Sequence, residues 1–128
     1  MRLLLDTHTF LWFVSDDNKL SATARLMIED GDNEVMVSLA SIWEIAIKVS
    51  IGKLLLAEPV ESFVNAQIER NDIQLLPIHL SHAIKVATLP FHHRDPFDRL
   101  LVAQGLVEQL PIVGADNIFN DYGIHRIW

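Results

Sequence analysis

Short, almost wholly apolar runs alternating with stretches of helical periodicity constrain this chain more than anything else in it. Residues 2–5, 34–37 and 112–114 are such runs, with 73–78 a further strand expectation and 123–128 a final edge strand. An uninterrupted apolar run reads as a strand buried on both faces. Between the runs, residues 7–14, 21–30, 40–51, 59–70, 81–89 and 96–109 carry helical patterns. Ser21 reads as an N-cap with Gly31 as that helix's stop, Gly52 ends the third helix, and Pro59 stands near the first turn of the fourth. Such alternation predicts an α/β protein with a central parallel sheet and helices on both faces, forming one domain over 1–128. Half the residues are apolar, which suits a doubly covered sheet and an oligomer interface. Ligands of such sheets bind at the carboxyl ends of the strands.

Composition narrows the chemistry. The chain has no cysteine, so a disulfide framework, a thiolate zinc site and a cysteine nucleophile are excluded. Asp6 interrupts the opening apolar run too early for a signal peptide, and no apolar stretch is long enough to cross a membrane. The expectation is a cytoplasmic protein. A net charge of −7 argues against a high-affinity nucleic-acid binder. It argues less against a nuclease whose acids converge on a cation, because the cation inverts the local electrostatics.

Four acids stand where chemistry is expected, and each also has a structural explanation. Asp6 follows the first strand and would cap the helix starting at Thr7. Glu44 lies in an apolar helix on a narrow polar stripe with Ser41 and Lys48. There, Ser41 and Glu44 have the spacing of a capping box, and Glu44 with Lys48 forms an i,i+4 pair good for ~0.2–0.5 kcal/mol. In Asp95-Pro96-Phe97-Asp98, Asp95 reads as an N-cap, Pro96 as N1 and Asp98 as the N3 acid of a capping box. Asp98 also shares the apolar face of Leu101, Val102 and Gly105, where an unpaired carboxylate is costly. Asp116 follows a strand and fits an ordinary turn. The histidine pairs His79/His82 and His92/His93 lack a zinc-ligand pattern and read as structural or surface residues. There is no phosphate-binding glycine loop and no Gly-x-Ser-x-Gly elbow.

Taken together, Leu3-Leu4-Leu5-Asp6-Thr7-His8, Ser41-Ile42-Trp43-Glu44-Ile45, Asp95-Pro96-Phe97-Asp98-Arg99-Leu100-Leu101 and Ile112-Val113-Gly114-Ala115-Asp116-Asn117-Ile118-Phe119 resemble, in order, the PIN-domain proteins. The resemblance is strongest to the VapC-type toxins of bacterial toxin–antitoxin pairs. It covers essentially the whole chain, and its most specific block begins at Asp95. It implies a three-layer α/β/α fold and Mg²⁺- or Mn²⁺-dependent cleavage of RNA. It further implies metal coordination by Asp6, Glu44, Asp98 and Asp116, homodimerisation, and inhibition by a cognate antitoxin. The chain departs from the pattern at Gly114, where the family often has Ser or Thr; Thr7 is the nearest alternative hydroxyl. Lys48 and Arg99 read either as holders of RNA phosphates, as moderators of carboxylate repulsion, or as plain surface charges. Two rival readings stay open: a non-catalytic PIN-like module that binds RNA or protein, and a metal-dependent nuclease or phosphatase with another substrate. Against an aspartyl phosphatase stands His8, where an Asp-x-Asp pair would need its second acid.

Overall fold

The computed structural model describes residues 1–128. Five parallel strands, β1 (Arg2–Leu5), β2 (Glu34–Ser38), β3 (Gln74–Leu76), β4 (Ile112–Val113) and β5 (Arg126–Ile127), form one sheet in the order β3-β2-β1-β4-β5. Seven helices connect and cover it: α1 (Thr7–Val14), α2 (Ala22–Glu29), α3 (Leu39–Ser50), α4 (Val60–Arg70), α5 (Leu80–Val86), α6 (Pro96–Glu108) and α7 (Ile118–Asp121). This is the expected three-layer α/β/α arrangement.

The alternation of side chains along each strand builds two cores. Leu4, Met36, Leu76 and Ile112 face one way and pack with Leu101 and Val102 of α6 and with Phe119. Leu3, Leu5, Val35, Val37, Val113 and Ile127 face the other way and pack with Phe10, Ala24, Ile28 and Ile45. Burial on both faces explains why these strands are continuous apolar runs, and it fixes the register, since a one-residue slip would exchange the two sets. Leu3 pairs with Val35, and Leu5 with both Val37 and Val113.

Several boundaries differ from the pattern-based expectations. β3 is confined to Gln74–Leu76 because Pro77 has no N–H to continue the ladder. Pro59 occupies the N-cap of α4 rather than its first turn. α5 begins at Leu80, where the buried His82 ring accepts the His79 backbone N–H at 3.0 Å. The short α7 has no periodic signal in the sequence. β5 is the expected edge strand. Gly105 lets α6 approach its neighbours: a Cβ there would stand 2.9 Å from Ile124 Cδ1 and 3.2 Å from the Leu110 carbonyl.

Strand order reverses beside β1: the chain runs outward through β2 and β3, then returns to place β4 on the other side. Such a reversal leaves a crevice at the carboxyl ends of the two central strands. Asp6 and Asp116 follow β1 and β4 directly there.

Candidate active site

A polar cleft of about 230 Å³ opens at this end of the sheet, lined by Asp6, Thr7, His8, Glu44, Lys48, Asp95, Asp98 and Asp116. No hydrophobic residue lines it. All four predicted acids therefore meet in one place, although they come from α1's N-cap, the middle of α3, the start of α6 and the loop after β4. A larger cavity of about 300 Å³ beside Gly105 and Gln109 has no acidic residue in its lining.

Each acid is held by a structural bond, so the capping and the chemical readings are compatible. Asp6 Oδ1 accepts the Thr9 backbone N–H at 2.7 Å and caps α1, while Oδ2 occupies the space where a side chain on Gly114 would begin. Asp116 Oδ1 accepts the Ile118 N–H at 2.9 Å in a turn. Glu44, only 7% exposed, has both oxygens engaged: Thr7 Oγ1 donates to Oε1 at 2.7 Å, and Lys48 Nζ stands 2.9 Å from Oε2. The Thr7 hydroxyl also meets the Ser41 hydroxyl at 2.9 Å. A hydroxyl carries one proton, so Ser41 donates to Thr7 and Thr7 to Glu44. The capping-box reading of Ser41 and Glu44 fails, because Ser38 is the N-cap of α3 and accepts from Ala40 N.

At α6, Asp95 is the N-cap and accepts the Asp98 N–H at 3.0 Å, with Pro96 in the first turn. The Asp98 side chain does not turn back to complete a capping box; its Oδ2 lies 3.3 Å from His93 Nε2. His93 is thus a neighbour of the site, where the sequence pattern pointed to a structural or surface role. His8 stands in the cleft wall, and nothing in the sequence pattern singles it out as a site residue. Arg99 corrects a different expectation. It is 5% exposed and turned away from the cleft, donating to the carbonyls of Leu89 and Pro90 and to Tyr122, so it holds no phosphate. Lys48 remains in the cleft and offsets Glu44.

Crowded, part-buried carboxylates resist ionisation. Burial raises the Asp6 carboxyl above its ordinary value, with nearby Glu44 adding to the effect and Thr9 and His8 opposing it. The buried Thr9 hydroxyl makes no hydrogen bond of good geometry, so the backbone N–H is the dependable contact. Asp98 is raised to about 6, first by burial and then by Asp95, against a lowering contact from His93.

The donor set suits a hard divalent cation, which takes oxygen ligands and keeps several waters. As the side chains stand, no three His, Asp or Glu residues are grouped closely enough to hold a metal ion by themselves. Oδ2 of Asp6, Oδ1 of Asp98 and Oδ2 of Asp116 are left unengaged, whereas Glu44 is fully bonded. Gly114 contributes by having no side chain: a Cβ there would lie 2.8 Å from Asp6 Oδ2 and 3.0 Å from Phe119 Cε2. The space that a Ser or Thr side chain would use is filled by the Asp6 carboxylate. Gly114→Ala is expected to displace that carboxylate and weaken Mn²⁺ binding by about 10-fold or more, in the range of lost ligand-orienting contacts. Calorimetric titration of Mn²⁺ checks this, and unchanged affinity would remove Gly114 from the site.

Residues 3–124 match the family model described as PIN domain. This chain belongs to the PIN-domain family. This PIN-domain chain is 30% identical, over 89% of its length and 86% of the relative's, to Ribonuclease VapC22 of Mycobacterium tuberculosis (strain ATCC 25618 / H37Rv). Ribonuclease VapC16 of the same organism is 37% identical over 46% of this chain and 40% of that protein. In fold, this PIN domain is similar to VapBC2 from Rickettsia felis, solved bound to a DNA fragment from its promoter. The TM-score is 0.71 at 13% identity, covering the whole of both chains. FitAcB from Neisseria gonorrhoeae aligns with a TM-score of 0.59 at 16% identity, over 97% of this chain and 95% of that one.

Proposed function

We propose that this protein is the ribonuclease toxin of a toxin–antitoxin pair, cutting RNA phosphodiesters at a Mg²⁺ or Mn²⁺ site formed by Asp6, Glu44, Asp98 and Asp116. The observation that carries this reading is the convergence of four acids, distant in sequence, in one cleft without apolar lining at the sheet's topological reversal. The ribonuclease names of the relatives support the reaction class.

Asp6, Asp98 and Asp116 would hold the cation through their unengaged oxygens. Glu44 is the orienter, fixed by Thr7 and Lys48. When bound, a divalent cation supplies water activation near neutral pH and charge stabilisation at the phosphate. The protein's part is to bring the acids together, hold Glu44 between Thr7 and Lys48, and orient each aspartate through one fixed oxygen. The chain's −7 charge makes a cation the natural intermediary between the acidic cleft and an RNA phosphate.

A protein partner fits the rim of the cleft. Trp43 and Phe97, on the helices that carry Glu44 and Asp98, meet edge to face at 5.3 Å, and Trp43 is 60% exposed. An exposed Trp43 backed by the half-buried Phe97, on the helices that carry two of the cleft's acids, suits an antitoxin segment that covers the cleft. The structural neighbours named as VapBC2 and FitAcB are in keeping with such a partner. Homodimerisation is proposed on the same footing, from the exposed Leu80, Ile84 and Phe91. No helix is long and apolar enough to cross a membrane.

The test is cleavage of total cellular RNA by the antitoxin-free protein, with Mg²⁺ or Mn²⁺ and with EDTA. Discrete fragments that form only with the metal are expected. Intact RNA, from protein that binds Mn²⁺, would favour the binding-module or other-substrate reading.

A further inference from the structure

Tyr122 is far from Asp98 in sequence, yet its hydroxyl joins a chain of bonds ending on that carboxylate. Arg99 Nη1 donates to the Tyr122 oxygen at 3.1 Å, and the His93 backbone N–H donates to it at 3.3 Å. A phenol oxygen has two acceptor positions and one proton. With both acceptor positions taken, the hydroxyl must act as a donor outward. Two acceptors are in range: His93 Nδ1 at 2.8 Å and the His93 carbonyl at 3.5 Å. The shorter contact takes the proton. Nδ1 then accepts, so the neutral ring carries its proton on Nε2, the nitrogen 3.3 Å from Asp98 Oδ2. The opposite tautomer would put a third donor on the Tyr122 oxygen, push the phenol proton to the longer 3.5 Å contact with the His93 carbonyl, and face a lone pair of Nε2 toward Asp98 Oδ2.

We propose that Arg99 and Tyr122 act on the metal site through His93. By fixing the Nε2–H tautomer they make His93 a positioning residue that holds Asp98 Oδ2 and leaves Oδ1 to the cation. This inference rests on the four-carboxylate reading given above. It also gives the buried Arg99 a use. The arginine is held by the carbonyls of Leu89 and Pro90, stands 4.2 Å over the Phe91 ring, and follows Asp98 directly on α6. The site's geometry is thereby tied to the loop before α6 and to Tyr122 at the end of α7. Partners of this kind, which fix a ligand's orientation without touching the metal, govern affinity as strongly as many ligands do.

Long-range ¹H–¹⁵N correlation spectra of the metal-free protein at pH 8 test the relay directly. His93 is assigned by its loss in His93→Gln. The expected result is a protonated Nε2 and an unprotonated Nδ1, with Tyr122→Phe giving a mixture of tautomers. A protonated Nδ1 in the wild type, as the other tautomer or as imidazolium, would overturn the proposal. Mn²⁺ affinity is the second readout. His93→Ala is expected to bind about 10- to 100-fold more weakly. His93→Gln, whose side-chain amide can place a donor where Nε2 was, is expected to recover most of that loss. Equal losses in Ala and Gln variants of wild-type thermal stability would sink the positioning role. Mn²⁺ binding by the wild type and its loss in Asp98→Asn test the four-carboxylate reading separately, so that failure there is distinguishable from failure of the relay.

Discussion

Asp98→Asn is expected to abolish metal-dependent RNA cleavage while making the metal-free protein more stable. The loss of activity follows from removing a charge that holds the cation, and a fall of roughly 10²-fold or more is expected from the scale of single electrostatic contributions. The gain in stability follows from the carboxyl's environment. Its pKa in the folded protein is about 6, against 3.8 when unperturbed. The folded state therefore binds the Asp98 proton more tightly than the unfolded state does. That preference contributes stability below pH 4, fades as pH rises through 6, and leaves the full cost of a buried charge at pH 7. A tenfold difference in proton affinity corresponds to about 1.4 kcal/mol, and solvent screening of a side chain 26% exposed brings the expected gain to about 1–3 kcal/mol. Asparagine carries no charge and can still accept from His93. In EDTA at pH 7.5 its melting temperature should exceed that of the wild type, and the gap should close toward pH 4. Saturating Mn²⁺ should reverse the order, since only the wild type gains binding stabilisation. A variant that cleaves at the wild-type rate would count decisively against Asp98 as a ligand, and a metal-free wild type that is the more stable at pH 7.5 would overturn the cost assigned to its buried charge.

Arg99→Met should cost about 2–4 kcal/mol of folding stability. The guanidinium serves the buried Leu89 carbonyl and Tyr122 hydroxyl and the part-buried Pro90 carbonyl, and methionine preserves volume while removing all three donors. Set against the usual total of about 5–15 kcal/mol, this is a large fraction. Arg99→Lys should rescue little, because one ammonium cannot reproduce a planar fork that reaches two carbonyls and a phenol. Urea denaturation of both variants measures the effect. If Arg99 gripped RNA instead, Lys would keep both stability and binding. Wild-type stability in the Met variant would refute the structural role.

Much of this site is legible in the sequence because its signals are local. Asp95, Pro96 and Asp98 announce a helix start through positions one to three apart, and the structure has that start. Asp6 follows an apolar run too short for anything but a strand. Glu44 is the one acid in an apolar helix. The error at Glu44 is instructive: Ser41 has capping-box spacing, but Ser38 caps α3 and leaves Ser41 inside the helix, bonded to Thr7. Spacing identifies the motif and not the turn in which it falls. Arg99 misleads for a related reason. On a helix with Leu101 and Val102 buried, an arginine reads as exposed unless the sequence reveals acceptors to satisfy it, and those acceptors lie in the loop before α6 and at Tyr122.

The sequence by itself determined the alternation of strands and helices, the doubly buried sheet and the four acids, because periodicity, caps and apolar runs are written in neighbouring residues. Only the tertiary structure decided which carboxylate oxygens stay unengaged, which cation faces the cleft and which turns inward, and why Gly114 has no side chain. Those outcomes depend on contacts such as Thr7 with Glu44, 37 positions apart, and His93 with Tyr122, 29 apart. Hydrogen bonds at that separation are set by how the helices pack on the sheet, and the local pattern of residues carries no record of it.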